Sequence, residues 1–122
     1  MTLKTTTSAL FGTLAASIVF FLSADAFAVD ADAAITLAKQ NGCLKCHNFT
    51  REQQEKKQKD GKPWFEVATK YKGKADAEAK LINHITSGEK AKFPDGHEEE
   101  HKIIKTTDVA QQKNLVNWIL SL

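Results

Sequence analysis

Two cysteines and a histidine lie close together in the first half of the chain. Cys43, Cys46 and His47 form the pattern C-x-x-C-H. Residues three apart on a helical turn face the same side, so both thiols can form thioether bonds to one porphyrin. His47 follows directly and can present an imidazole nitrogen to the iron as the proximal ligand. The spacing therefore predicts the covalent attachment of one haem c.

Three other interpretations of Cys43 and Cys46 remain open. A thioredoxin-like redox disulfide needs a βαβ context, which the surrounding pattern lacks. A zinc site needs further ligands, and these two are the only cysteines in the chain. The third is a chance match, which an export signal at the N-terminus argues against.

The first 28 residues have the order of a secretory signal peptide. Lys4 precedes the apolar run from Ala9 to Leu22, and Ala26-Phe27-Ala28 supplies the small-x-small pattern that signal peptidase requires. The alternative is a retained membrane anchor, but this run is shorter than the roughly 20 residues that cross a bilayer. We expect cleavage after Ala28, leaving residues 29–122 as an exported, periplasmic domain without stable membrane insertion.

Composition is that of one small globular domain. The chain has 122 residues, of which 42% are hydrophobic and 26% charged. Seventeen Lys and Arg against 15 Asp and Glu give a net charge of +2, which does not indicate a nucleic-acid binder. A domain of this size buries a limited core and is often stabilised by a cofactor.

The apolar pattern of residues 29–122 is helical throughout and predicts an all-α fold of about four short helices. The expected helices are one through Ala38 that Gly42 ends, one opened by Pro63, one from Ala77 to Gly88, and a last one capped within Thr106-Thr107-Asp108. Asn48 to Lys62 and residues 89–105 are polar and predict loops, the second with a turn at Pro94-Asp95-Gly96.

This ordered set of segments resembles a small class I c-type cytochrome of the bacterial periplasmic kind. The resemblance runs from about Ala31 to Leu122 and rests on residues 41–48, Pro63 with residues 67–73, residues 77–88 and residues 115–122. It implies that the first helix crosses the last, with the haem held between loops. It also implies that the Pro63 backbone carbonyl accepts a hydrogen bond from the proximal imidazole. The chain departs from the smallest family members in its longer, more basic stretch at 48–62.

The usual sixth ligand of this family is a methionine before the last helix, but Met1 is the only methionine here. Counting back from the last helix, the ligand position falls near His101; counting forward from Gly88, it falls nearer His97. We prefer His101, because Ile103-Ile104 can anchor it, and keep His97, a lysine, water or an open site as alternatives. His84 is expected to face solvent or cap its helix. Bis-His ligation predicts a lower reduction potential than His–Met ligation.

The resemblance implies electron transfer, with no catalytic residues. The alternative is a haem protein whose open or labile sixth site binds a gas ligand.

His97 to His101 also match the H-E-x-x-H pattern of zinc proteases, but that pattern needs a stable helix with an apolar stripe. Lysines around the haem motif suit redox partners with acidic docking surfaces, although an ordinary solvated surface explains them equally well; they are Lys45, Lys56, Lys57, Lys59, Lys62, Lys70 and Lys72.

Overall fold

Five α-helices, one 3₁₀ turn and a two-stranded hairpin make up the part of the chain that the structure, a computed structural model, describes: residues 28–57, 60–93 and 95–122. The expected signal peptide lies outside these residues apart from Ala28. The elements are α1 (Ala31–Gln40), the 3₁₀ turn (Cys43–Lys45), α2 (Arg51–Lys56), α3 (Trp64–Tyr71), α4 (Ala77–Ser87), β1 (Lys90–Lys92), β2 (Glu98–Glu100) and α5 (Val109–Leu120).

Local signals define the ends of the main helices. The Asp30 side chain accepts a hydrogen bond from the Ala33 amide at the start of α1. Asp108 caps α5 in the same way, accepting from the Ala110 amide at 2.8 Å. Gly88 ends α4 in a left-handed conformation with φ 72°, which a residue without Cβ adopts at little cost.

The first and last helices pack against each other at the centre of the core. Ala34 and Ala38 of α1 and Val116 of α5 are fully buried, and Leu115 is almost so. The small alanine side chains let the two helices approach closely. Asn114, itself buried, accepts a hydrogen bond from the Asp30 amide and donates one to the Asp30 carbonyl, both at 2.8 Å. This is the helix crossing that the resemblance implied.

An aromatic cluster connects α3 to α5 and continues toward the haem motif. Trp64 and Trp118 are buried and meet edge to face, with ring centroids 5.4 Å apart. Phe49 meets Trp118 in the same way at 5.3 Å and stacks on Trp64 at 5.9 Å. Aromatic pairs of this kind prefer particular relative orientations and stabilise the fold beyond the burial of their surface. The cluster therefore packs firmly against one side of the His47 ring.

Helix α2 lies in the stretch that was expected to be a loop. Thr50 and Gln53 form a capping box at its start, a T-x-x-Q signal that the polar composition obscures. Gln54 is buried, accepts a hydrogen bond from the Asn48 amide and donates one to the Cys46 carbonyl, both at 2.7 Å. The helix therefore supports the turn that follows the haem motif.

A short antiparallel hairpin interrupts the second expected loop. Its register pairs Lys90 with Glu100 and Lys92 with Glu98, so opposite charges face each other across the strands. All of β2 is exposed, and no apolar alternation marks it in the sequence. The expectation of a fold without strands was therefore wrong here, although the fold class remains helical. None of the described helices combines the length and the apolar character needed to cross a membrane.

Candidate functional site

The haem motif forms a tight turn that brings its two cysteines to one place. Gly42 precedes it with φ 71°, and the amides of Cys46 and His47 both donate to the Cys43 carbonyl, at 3.2 and 3.0 Å. Neither thiol is in a disulfide. Before haem attachment, burial raises the pKa of the Cys43 thiol above its ordinary value of 9.0. Within the described ranges, no three His, Cys, Asp or Glu residues are grouped as they would be to hold a metal ion.

The His47 ring is fixed by the backbone and by the aromatic cluster. Its Nδ1 lies 2.7 Å from the Lys62 carbonyl oxygen, which can only accept, so Nδ1 carries the proton. The basic nitrogen is then Nε2, on the other side of the ring. Trp64 stacks on the ring with centroids 5.6 Å apart and planes 21° apart.

The expected role of Pro63 was wrong by one residue. The carbonyl that accepts from the proximal imidazole is that of Lys62. The Pro63 carbonyl accepts instead from the amides of Glu66 and Val67, because Pro63 is the N-cap of α3. The Pro63 carbonyl oxygen is thus used by the first turn of α3, whereas the carbonyl of the preceding residue, Lys62, faces His47.

His101 follows β2 and lies opposite His47, with ring centroids 6.1 Å apart. Its amide donates to the Glu89 carbonyl at 3.1 Å, and the amide of the buried Ile104 donates to the Ile85 carbonyl at 2.9 Å. Ile104 therefore anchors the segment, as expected. Ile103 remains exposed, with its side chain against Gly88.

The two histidines fit an iron between them. A metal ion on the line between two facing imidazole nitrogens, about 2 Å from each, would separate the ring centroids by about 6 Å, close to the 6.1 Å observed. The His101 Nδ1 is buried and has no hydrogen-bond partner among the described residues. Burial, followed by the neighbouring His84 and His47, lowers the pKa of His101 from 6.5 to about 4. The ring is therefore neutral at neutral pH, the form that binds a metal.

His84 does not face solvent freely, so that part of the expectation was wrong. Its side chain is 30% exposed, and its ring lies 4.1 Å from that of His101, centroid to centroid. Its Nδ1 lies 2.6 Å from Oε1 of Glu89, just beyond the end of α4. The sequence held no signal for the contact with His101, because it depends on the path of the segment after Gly88.

His97 is part of the hairpin tip. Its ring stacks on Phe93, with centroids 4.3 Å apart, and its Nδ1 contacts the Asp95 carboxylate. Its Nε2 lies 3.6 Å from Glu99. Since residues 98–100 form a strand, His97 and His101 do not share a helix face. The geometry required by the zinc-protease pattern is absent from this segment.

The lysines around the site are on the surface. Lys59 lies outside the described residues, and the others expected to steer partners are all exposed: Lys45, Lys56, Lys57, Lys62, Lys70 and Lys72. Lys56 forms an ion pair with Glu52 one helical turn away. The Lys70 ammonium lies 5.3 Å from the Tyr71 ring centroid.

No family model matches the chain, but curated relatives do. The chain is 35% identical over 86 residues to cytochrome c-552 of Hydrogenobacter thermophilus, which covers 70% of this chain and 78% of that protein. It is 33% identical over 87 residues to cytochrome c2 of Rhodocyclus tenuis, with 70% and 88% covered.

Two solved structures are similar in fold. The crystal structure of the class 1 cytochrome MtoD from Sideroxydans lithotrophicus ES-1 superposes with a TM-score of 0.68 and 61% identity, covering 77% of this chain and 97% of that one. Cytochrome c552 of Nitrosomonas europaea gives a TM-score of 0.55 and 28% identity, with 72% and 98% covered. These findings confirm the expected fold and its cofactor, one covalently bound haem c. The chain belongs to the class I c-type cytochromes.

Proposed function

We propose that this protein is a periplasmic electron carrier whose one haem c would be attached to Cys43 and Cys46, with His47 and His101 as the residues that would bind its iron. The observation that carries the proposal is the 6.1 Å separation of the two imidazole rings. The family's usual methionine ligand has no counterpart, since Met1 is the only methionine in the chain. His97 is a weaker candidate because its ring is stacked on Phe93 within the hairpin.

The surrounding residues hold the two ligands in place. When bound, the haem supplies one-electron chemistry between ferric and ferrous iron. The Lys62 carbonyl fixes the protonation and orientation of His47, and Trp64 limits the tilt of its ring. Because imidazole is a stronger donor to ferric iron than a thioether is, this ligand pair favours a lower reduction potential than His–Met ligation. Since His47 and His101 would together leave no iron position open for a substrate, the proposal favours an electron carrier over a haem enzyme.

Export and docking complete the proposal. Cleavage of residues 1–28 leaves residues 29–122 as the periplasmic domain that receives the haem. The exposed lysines near the haem motif, including Lys45 and Lys62, favour redox proteins with acidic docking surfaces, either in the periplasm or associated with a membrane.

The decisive experiment is the absorption spectrum of the exported holoprotein, oxidised and reduced, with and without carbon monoxide. We expect a low-spin spectrum that carbon monoxide does not change. A high-spin ferric form, or rapid uptake of carbon monoxide, would overturn the six-coordinate proposal and favour the gas-binding alternative.

A matched pair of variants identifies the sixth ligand. His101→Ala is expected to turn the iron high-spin or accessible to carbon monoxide, whereas His97→Ala is expected to leave the spectrum unchanged. The opposite result would assign the ligand to His97. Mass spectrometry of the exported protein tests the domain boundary, which we expect to lie after Ala28.

A further inference from the structure

The end of α4 and the segment that carries His101 meet through a compact polar arrangement. His84 lies in the last turn of α4, and its ring packs against that of His101 at 4.1 Å between centroids, with planes 42° apart. The two rings are close enough that His101 cannot rotate freely on this side. His84 therefore restricts the orientation of His101.

His84 is itself held by a carboxylate. Its Nδ1 lies 2.6 Å from Oε1 of Glu89, and the second carboxylate oxygen accepts a hydrogen bond from Asn83 Nδ2 at 3.0 Å. The Glu89 amide also donates to the Ser87 hydroxyl at 3.3 Å. Because both carboxylate oxygens are engaged by neighbouring side chains of α4, the Glu89 side chain is directed onto the helix end.

The same glutamate also holds the backbone of His101. The Glu89 carbonyl accepts from the His101 amide at 3.1 Å. Glu89 thus acts on His101 in two ways. Its carbonyl binds the His101 amide, and its carboxylate holds His84, whose ring packs against that of His101. The His101 Nδ1, in contrast, is buried and has no hydrogen-bond partner among the described residues. On the side of α4, the orientation of the His101 ring is restrained by its packing against His84.

We propose that His84, oriented by Glu89, is a positioning residue that sets the plane of the His101 imidazole and retains it at the iron. This inference rests on the proposed function, since it takes His101 as the sixth ligand. Residues that orient a metal-ligating histidine change metal affinity or activity by about 10–100-fold when they are removed. We expect the removal of His84 or of Glu89 to weaken the retention of His101 at the iron to a similar extent.

The test compares four holoprotein variants. His84→Ala removes the packing ring, and Glu89→Ala removes the carboxylate that orients it. Glu89→Gln keeps a carbonyl oxygen that can accept from Nδ1 of His84, and is the conservative rescue. His97→Ala, on the hairpin tip and engaged with Phe93 and Asp95, is the control histidine.

Two readouts separate positioning from general stability. The g-values of the low-spin ferric EPR spectrum report the angle between the two axial imidazole planes. The rate at which cyanide displaces the sixth ligand reports how firmly His101 is retained. We expect His84→Ala and Glu89→Ala to shift the g-values and to accelerate displacement about tenfold or more. Glu89→Gln and His97→Ala are expected to behave as the wild type.

Three results would contradict the inference. Unchanged g-values and displacement rates in both alanine variants would overturn it. An effect on thermal stability alone would also overturn it, because it would show a purely structural role. If His84→Ala makes the iron high-spin while His101→Ala does not, His84 is itself the ligand. A wild-type protein that is already high-spin would overturn the proposed ligation, a failure that the wild-type spectrum reveals before any variant is made.

Discussion

The ring of His47 and the backbone carbonyl of Lys62 are joined by a hydrogen bond of 2.7 Å. This bond makes the orientation of the expected proximal ligand depend on the short segment before α3. Gly61, in that segment, donates its amide to the Cys46 carbonyl at 3.1 Å. Two hydrogen bonds therefore hold the haem motif to the segment before α3: one joins Cys46 to Gly61 and the other joins His47 to Lys62.

Replacing Gly61 with alanine is expected to disturb the proximal side of the haem. A Cβ at this position would lie 2.6 Å from the Cys46 carbonyl oxygen and 3.1 Å from Cε1 of His47, so the backbone must shift. We expect Gly61→Ala to lower the free energy of unfolding by about 1–3 kcal/mol and to change the reduction potential. Denaturation and potentiometry of the holoprotein measure the two effects.

Gly73→Ala provides the comparison for this variant. Its Cβ meets no heavy atom within 4 Å, but the residue has φ +75°. The left-handed conformation alone costs about 1–2 kcal/mol for a residue with a side chain. We therefore expect a loss of stability without a change in potential. Equal potentials in Gly61→Ala and the wild type would contradict the steric argument.

The crossing of α1 and α5 is expected to be intolerant of larger side chains. Ala34 is fully buried against α5, whereas its neighbour Ala33 is exposed. Ala34→Leu is expected to reduce the free energy of unfolding by about 1–3 kcal/mol through overpacking. Ala33→Leu makes the same substitution at an exposed position of α1, so it changes helix propensity nearly as much as Ala34→Leu does without crowding the interface. It is therefore the matched control. Similar denaturation midpoints for the two variants would show that the interface adapts to the added volume.

A carboxylate between α4 and α5 is expected to give a stability that depends on pH. Glu78 accepts from Asn117 at 2.8 Å and lies 3.4 Å from the Lys113 ammonium. The bond from Asn117, followed by that from Lys113, lowers the pKa of Glu78 below 4.5. Because the Glu78 carboxylate has a lower pKa in the folded protein than in the unfolded chain, it stabilises the fold at pH values above the unfolded pKa. This contribution is lost as the pH falls through the folded pKa.

The variant Glu78→Gln isolates this charge, because its side-chain oxygen can still accept from Asn117. At pH 7 we expect a loss of less than about 1 kcal/mol, since the carboxylate is partly exposed. The difference from the wild type should disappear as the pH is lowered below 4.5 toward the folded pKa. Urea denaturation across this range measures it. Glu52→Gln, which affects an ion pair confined to α2, should change little at any pH.

The lysines near the haem motif are expected to attract anionic redox partners. Lys45 and Lys62 are exposed on either side of His47 in the sequence. Lys45→Glu and Lys62→Glu should slow reduction of ferricyanide several-fold at low salt, with the difference removed at 1 M salt, where the Debye length is about 3 Å. Lys80→Glu, on α4, is the control. Equal effects of all three variants would show that only net charge matters.

The sequence predicted local features better than contacts between distant residues. C-x-x-C-H is one continuous turn, and Asp30, Gly88 and Asp108 are end signals that act within one helical turn, so the motif and most helices were predictable. The hairpin was missed because charge pairing, not apolar alternation, supports it. The contact between His84 and His101 was missed because it depends on a loop whose path no local pattern specifies. The one-residue error at Pro63 arose in the same way, because no local pattern specifies which carbonyl before α3 faces His47.

The contact between the two ends of the domain has a consequence for how the protein is made. The hydrogen bonds between Asp30 and Asn114 connect residues 84 positions apart. Such a long loop is closed late, because its entropy must be lost before the contact forms. Helix α1 therefore finds its partner only after α5 has been synthesised. The C-x-x-C-H segment lies within this loop, so we expect its thiols to be accessible for haem attachment before the loop closes.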